Sequence, residues 1–325
     1  MTEQAAAARI ARPAGFLEHR VLPVPAAVGL SLLGGGAAAA QAAINGRLGE
    51  GIGTPVTAAL ISNGLATVIL IAATLRSQSI RAGLRRVRET GLPWWQYLGG
   101  ALGAMSVAGA ALASPVLGVA LFTVVQVSGT SVGGIVTDRV GLSPKGRLPV
   151  SAIRCASAAL AVTAVVIAQL GRPFGHIAIG MVCFVLAIGL TRPVQVALNG
   201  RLTTATGNVG SASLVNALIG TGALILAAPV FLVSGHLPFH HWPGQWWFYL
   251  GGVLALLVTG ANLVSVHTIG VLRTSLAALA GQITGGLLLD AFVPGSVRPT
   301  GWLVLGAALT MTAALAAGLR PRARG

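Results

Sequence analysis

Two octapeptides, QAAINGRL from Gln41 and QVALNGRL from Gln195, agree at six of eight positions and lie 154 residues apart. Each sets a glutamine and an asparagine four residues apart, so Gln41 and Asn45 share one helix face, as do Gln195 and Asn199. Neutral amides in this arrangement reach across to a neighbouring helix; they cleave no bond and carry no electron. Their plain use is packing a helix end and capping the turn that follows. Their functional use is as paired gates at opposite ends of one pathway. Arg47 and Arg201 close the two motifs and have the length to reach lipid head groups.

A second polar set is scattered through long apolar runs: Ser62, Asn63, Gln126, Thr130, Asn216, Asn262, Ser265 and Gln282. Polar groups in such surroundings are paired or line a cavity. Except for Ser265, a lesser member, they are the expected lining for a small polar substrate. Interhelical bonding worth about 0.6 kcal/mol each is the competing use. Coupling to protons needs a titrating group in the same region. Of six acids, Glu3 and Glu18 lie in the leader and Glu50 and Glu89 in expected loops, which leaves Asp138 and Asp290 at helix ends. A pair between Asp138 and a loop cation such as Arg139 is the plainer reading of the first. His267 and the buried-looking Arg192, beside Pro193, complete the coupling candidates. His236, His240 and His241 lack a nearby cysteine or acid and read as surface histidines. With no phosphate loop, metal-ligand cluster or nucleophile–base pair, no catalytic residue, metal or cofactor is expected, and the chain does not read as an enzyme.

The elements that position these groups follow from composition. Of 325 residues 54% are hydrophobic and only 8% charged, with mean hydropathy +0.83. That balance belongs to an integral membrane protein. The 45 glycines fit it, since small residues let membrane helices approach closely. The net charge of +15 sits in short gaps between apolar runs rather than on one face with aromatics, so nucleic acid is excluded as a partner. Cys155 and Cys183 fall inside apolar runs and are expected to be buried. Ten segments reach the roughly 20 residues a crossing needs: 22–43, 54–75, 95–115, 117–138, 149–170, 176–198, 209–234, 246–268, 270–290 and 300–319. Tight hairpins are expected at Ser114-Pro115 and at Thr268-Ile269-Gly270, and a basic loop between Arg76 and Pro93. The basic leader and GGGAAAAQ imitate a secretory signal, but the matching stretch before Gln195 lies mid-chain, so the first segment is read as a mature helix. Placing the N-terminus inside puts sixteen Lys and Arg residues in cytoplasmic segments and three (Arg47, Arg172, Arg298) outside.

The repeat runs further than the octapeptide. WWQYLGG at Trp94 returns as WWFYLGG at Trp246, and GTSVGGIVTD, ending at Asp138, returns as GQITGGLLLD, ending at Asp290, at an offset of 152. Thr130 stands where the second copy has Gln282. Each copy holds five segments, and an odd number turns the second copy upside down in the membrane. The aromatic pairs mark helix starts at the interface. Few aromatics lie at mid-depth, which disfavours a cage for quaternary ammonium ions.

The duplicated Q-x-A-[IL]-N-G-R-L turn, with the glycine-rich helix carrying Gly281-Gln282, resembles the YdcZ-like branch of the drug/metabolite transporter (EamA-like) superfamily over residues 25 to 318. The resemblance implies a ten-helix inner-membrane carrier of inverted five-helix repeats that works as an exporter. The expected fold is therefore an all-α integral membrane protein: a leader (1–21), two inverted five-helix repeats (22–170 and 171–319) and a basic tail (320–325), with both termini cytoplasmic. The expected function is secondary-active export of a small polar metabolite or drug-like compound across the bacterial inner membrane by alternating access. The rival is a non-transporting helper subunit or a channel. The expected partners are the lipid bilayer and a small-molecule substrate, with a homodimer as an open assembly.

Overall fold

A computed structural model describes residues 22–142, 151–170, 176–233 and 241–318. Among them every regular element is helical. The long helices are α1 (Val24–Ile52), α2 (Pro55–Arg76), α4 (Leu98–Leu117), α5 (Val119–Val140), α6 (Ala152–Gln169), α7 (His176–Thr206), α8 (Val209–Val233), α9 (Gly251–Phe292) and α10 (Gly301–Gly318), with a short α3 (Gln78–Thr90) after α2. Single 3-10 turns, Trp94–Tyr97 and Trp246–Leu250, precede α4 and α9. Eight helices among the described residues are long and apolar enough to cross a membrane, and the helices Trp246–Asn262 and Gly301–Ala316 are apolar but shorter. Large apolar side chains such as Leu33, Leu75, Leu226 and Phe292 face outward, as they do when the solvent is lipid.

Local chemistry accounts for the starts. Thr54 accepts the Thr57 amide with Pro55 in the first turn, and Ser77 and Ser151 cap α3 and α6 in the same way. Several boundaries differ from the sequence expectation. The first segment does not stop at 43 but runs to Ile52, ended by left-handed Gly53, and the sixth runs to Thr206 rather than 198. Both octapeptides therefore lie inside helices, because an isolated Asn, Gly or Arg leaves hydropathy without breaking the backbone. The stretch expected as a basic loop holds amphipathic α3, whose Gly83 backs onto Ser211 and whose arginines face out. The hairpin expected at Ser114-Pro115 turns at Gly118, with Pro115 inside α4. Cys155 and Cys183 are exposed, not buried. The leader and tail lie outside the described residues.

Helix α9 is helical over 42 residues, yet a straight rod of that length would span about 63 Å. Its neighbours prove it bent. Gly251 packs on Asn45, Ala261 on Gly34 and Ser265 on Ala27, so the first limb runs antiparallel to α1. Gly281 packs on Leu32 and Gly285 on Gly36, so the second limb runs parallel to it. The chain reverses between Ser265 and Ala278. Helices α4 and α5 treat α7 the same way: Gly99 meets Asn199 and Gly109 meets Ile188, then Gly129 meets Leu186 and Gly133 meets Leu190. The largest buried cluster centres on α5 with Leu121, Phe122, Val124 and Val125, against which Val185, Ile283 and Leu303 pack.

Candidate functional site

The repeated motifs meet each other, not themselves. Asn45 of the first octapeptide packs on Gly251 of the second WW-x-YLGG, and Asn199 of the second packs on Gly99 of the first. A Cβ on either glycine would run into the asparagine Oδ1. One residue on, Gly252 faces the Ser62 carbonyl and Gly100 the Asn216 carbonyl. Midway along, Gly35 abuts the Ala278 carbonyl and the Gln282 amide, while Gly189 abuts the Gln126 carbonyl. Thr67 Oγ1 and Thr221 Oγ1, 154 residues apart, share a hydrogen bond of 3.0 Å. Each of these glycine contacts has a counterpart with the two halves exchanged, and the threonine bond is its own.

The expected cavity lining does not form one ring. Asn45 is 1% exposed and its Nδ2 donates to Ser62 Oγ at 3.4 Å. Asn63, on the same helix, leaves Nδ2 without a hydrogen-bond partner while its carbonyl accepts the Thr67 hydroxyl. Gln195 Oε1, Asn199 Oδ1 and Asn216 Oδ1 are buried without partners, the first two along the Gly99–Gly103 edge of α4. Gln126 is buried and Thr130 spends its hydroxyl on the Gln126 carbonyl. Gln282 sits at the α1–α9 crossing, and Asn262 and Gln41 are half-buried. The gate and cavity candidates thus form two clusters, Asn45 with Ser62 and Gln195 with Asn199 and Asn216, joined by the glycine crossings.

Among the described residues, the two acids at the repeat-equivalent helix ends meet different groups. Asp290 is 1% exposed and accepts the Val119 amide on Oδ1 at 2.9 Å and the Ala120 amide on Oδ2 at 2.8 Å. Asp138 accepts the Arg154 guanidinium of α6 at 2.5 Å, not a loop cation. A cavity of about 50 Å³ adjoins Asp290 and is lined also by Arg47, Glu50, Ser114, Gly118 and Ser296. Arg47 donates to the Pro294 carbonyl at 2.5 Å, and Arg201 lies over the Trp95 ring, 5.5 Å from its centre. Arg192 lies half-buried on α7 next to Pro193. The His267 side chain lies outside the described residues.

Sequence reasoning passed over Arg154, Ser114 and the threonine pair. The last was legible: Thr67 and Thr221 stand at the same 154 offset as the octapeptides. Ser114 donates to the Ala42 carbonyl at 3.0 Å, tying α4 to α1.

The family description "Putative inner membrane exporter, YdcZ" matches residues 26–167 and 180–317. The chain belongs to the YdcZ family. Inner membrane protein YdcZ of Escherichia coli strain K12 is 27% identical to it over 111 residues, which make up 34% of this chain and 73% of that relative. No solved structure matches. Membership makes the chain a multi-pass inner-membrane protein of a transporter family, not an enzyme family.

Proposed function

We propose that this YdcZ-family chain is a secondary-active exporter of a small polar metabolite or drug-like compound, working by alternating access of two inverted five-helix halves. The observation that carries the reading is the reciprocal packing, in which each half supplies the glycines for the other half's asparagine. The Thr67–Thr221 bond joins a residue to its own repeat counterpart, which fits a two-fold axis beside that pair. Five crossings per copy lay that axis in the membrane plane. Counting the limbs of α9 separately gives ten crossings, with α3 lying along the surface. The match in two segments supports the duplication. So does the relative's length: 34% of one chain equals 73% of the other, so the relative is about half as long. A fused chain carries both copies itself.

The Lys and Arg distribution favours cytoplasmic termini, which turns the Asp290 end outward and the Asp138 end toward the cytoplasm. The lining amides Asn63, Gln195, Asn199 and Asn216 offer hydrogen bonds without charge, which suits a polar, uncharged substrate face. Single cysteines at Glu50 and Thr204, exposed counterparts 154 residues apart, test the inversion in protein freed of Cys155 and Cys183. An impermeant maleimide should label Glu50→Cys from the periplasmic side and Thr204→Cys from the cytoplasmic side. Labelling from one side rules inversion out. Export is tested by screening purified protein for metabolites that raise its melting temperature, then measuring efflux of each hit from loaded proteoliposomes. Hits that never leave faster than from empty-membrane controls would end the exporter reading.

A further inference from the structure

Resting on the reading of the chain as a carrier, we propose that Arg192 binds an anionic group of the substrate, and that the substrate is a small carboxylic acid whose other end donates hydrogen bonds to amide oxygens. Arg192 stands 16 residues from the start of α7 and 14 from its end. It is therefore about 21 Å from the nearer end of the helix. A cation at that depth is costly and calls for a counter-charge. The protein supplies none: among the described residues, no acid, carbonyl or hydroxyl takes a hydrogen bond from its guanidinium. Asp138 is held by Arg154, and Asp290 accepts the first amides of α5.

Arg192 lies on the inward side of α7, away from lipid. Val185, Ile188, Arg192, Gln195 and Asn199 recur at intervals of three and four residues and so form one stripe of the helix. Val185 and Ile188 are buried. The stripe faces α4, where Gly109 meets Ile188, Gly103 meets Gln195 and Gly99 meets Asn199. By that register Arg192 falls level with Ser106, which is buried and spends its hydroxyl on the Leu102 carbonyl. Cys183, Ala187 and Leu190, on the opposite side of α7, are exposed.

Charge and spacing define the ligand. One guanidinium matches one carboxylate, through two parallel bonds of its fork. A doubly charged phosphate would leave one charge unmatched in the membrane interior. Gln195 Oε1 and Asn199 Oδ1, about one and two helix turns further along the stripe, and Asn216 Oδ1 of α8 are buried acceptors without partners. Unpaired acceptors call for donors, so the ligand carries N–H or O–H groups about 5 Å, one helix turn, from its carboxylate. Amino acids and polar hydroxy acids have that build. The counterpart of Arg192 in the first half is Ala38, so the molecule holds one such cation and takes one anion at a time. The amides meet the uncharged face of the ligand and Arg192 its charged end.

Melting of the purified full-length protein in detergent tests this, against a panel of amino acids and hydroxy acids and the primary amide of each. Binding raises the melting temperature. Carboxylates should give shifts and their amides none. Arg192→Gln should lose those shifts, and Arg192→Lys, which keeps the charge without the fork, should retain a smaller part of them. In ligand-free buffer Arg192→Leu should melt several degrees above the parent, because it removes an unmatched charge from the membrane interior. That comparison needs no ligand. Carboxylates that never act, amides as good as the acids, shifts that survive Arg192→Gln, or an Arg192→Leu protein that melts lower or does not fold each overturn the proposal. Efflux from proteoliposomes separates it from the carrier reading. Export of an amide, indifferent to Arg192→Gln, refutes the anion site and leaves the carrier standing. A carboxylate that binds through Arg192 yet crosses no faster than through protein-free membranes keeps the binding site and refutes the carrier.

Discussion

The Asp290 end and the Asp138 end are built from nearly the same words and say different things. At the first, Asn45 donates to Ser62, Ser114 reaches the Ala42 carbonyl and Asp290 holds two amides. At the second, Asn216 has an amide oxygen without a partner and Asp138 is paired with Arg154, while the Oδ1 atoms of Asn45 and Asn199 are unpartnered at both ends. Part of the difference is written in the chain. Asn216 replaces the hydroxyl of Ser62, and α10, which follows α9 as α6 follows α5, carries no cation to match Arg154. The octapeptides are almost identical and each asparagine packs on the equivalent glycine, so the difference lies in the residues that face them.

The comparison breaks most forcefully at the glycine crossings. Gly35→Leu and Gly189→Leu each drive a side chain into a facing backbone, at Ala278 and Gln126 respectively. Both should abolish monodisperse folded protein in size-exclusion chromatography, a loss of more than about 3 kcal/mol. If one is tolerated, the crossings are not equivalent. A smaller effect of opposite sign is expected from Asn216→Ser, which copies the Ser62 arrangement and gives Asn199 a hydroxyl partner. Removing an unpartnered buried amide oxygen should stabilise by about 1 kcal/mol, read as a rise in melting temperature in detergent. A fall would mean that Asn216 bonds something other than protein. The smallest effect belongs to Arg154→Gln. The pair it breaks is partly exposed, at 30% and 19% for the two side chains. It should cost under about 1 kcal/mol, read as a fall of a few degrees at most in melting temperature in detergent. A larger fall would show that Arg154 holds more than Asp138.

Much of this plan was legible because a bilayer enforces it. Long apolar runs had to be helices, and the offsets of 154 and 152 named the counterparts before any contact was known. Hydropathy misplaced the ends. It stopped the first helix at 43, inside Gln41-to-Leu48, because polar residues lower the average while still bonding as a helix, and it read α3 as loop because the amphipathic period there is dominated by arginine. It also put Cys155 and Cys183 inside, since an average over a window cannot tell a lipid-facing side from a packed one. The site was harder. Gln126 and Gln282 looked like lining, and nothing in the sequence signalled that their backbones would meet a glycine of the other half at the crossings. The acids were found by elimination, but which atoms they would meet depended on the turn at Gly118, three residues beyond the proline that seemed to set it.

The threonine pair has one further implication. The glycine contacts between the halves come in mirror pairs, so the rocking proposed above would act on the two members of each pair in opposite senses. Thr67 and Thr221 have no second copy to trade with, because each is the other's image. Such a bond weighs the same on both pans of a balance, and it is the natural fulcrum: a place where both tilts share one pivot and where change would cost stability without favouring either side.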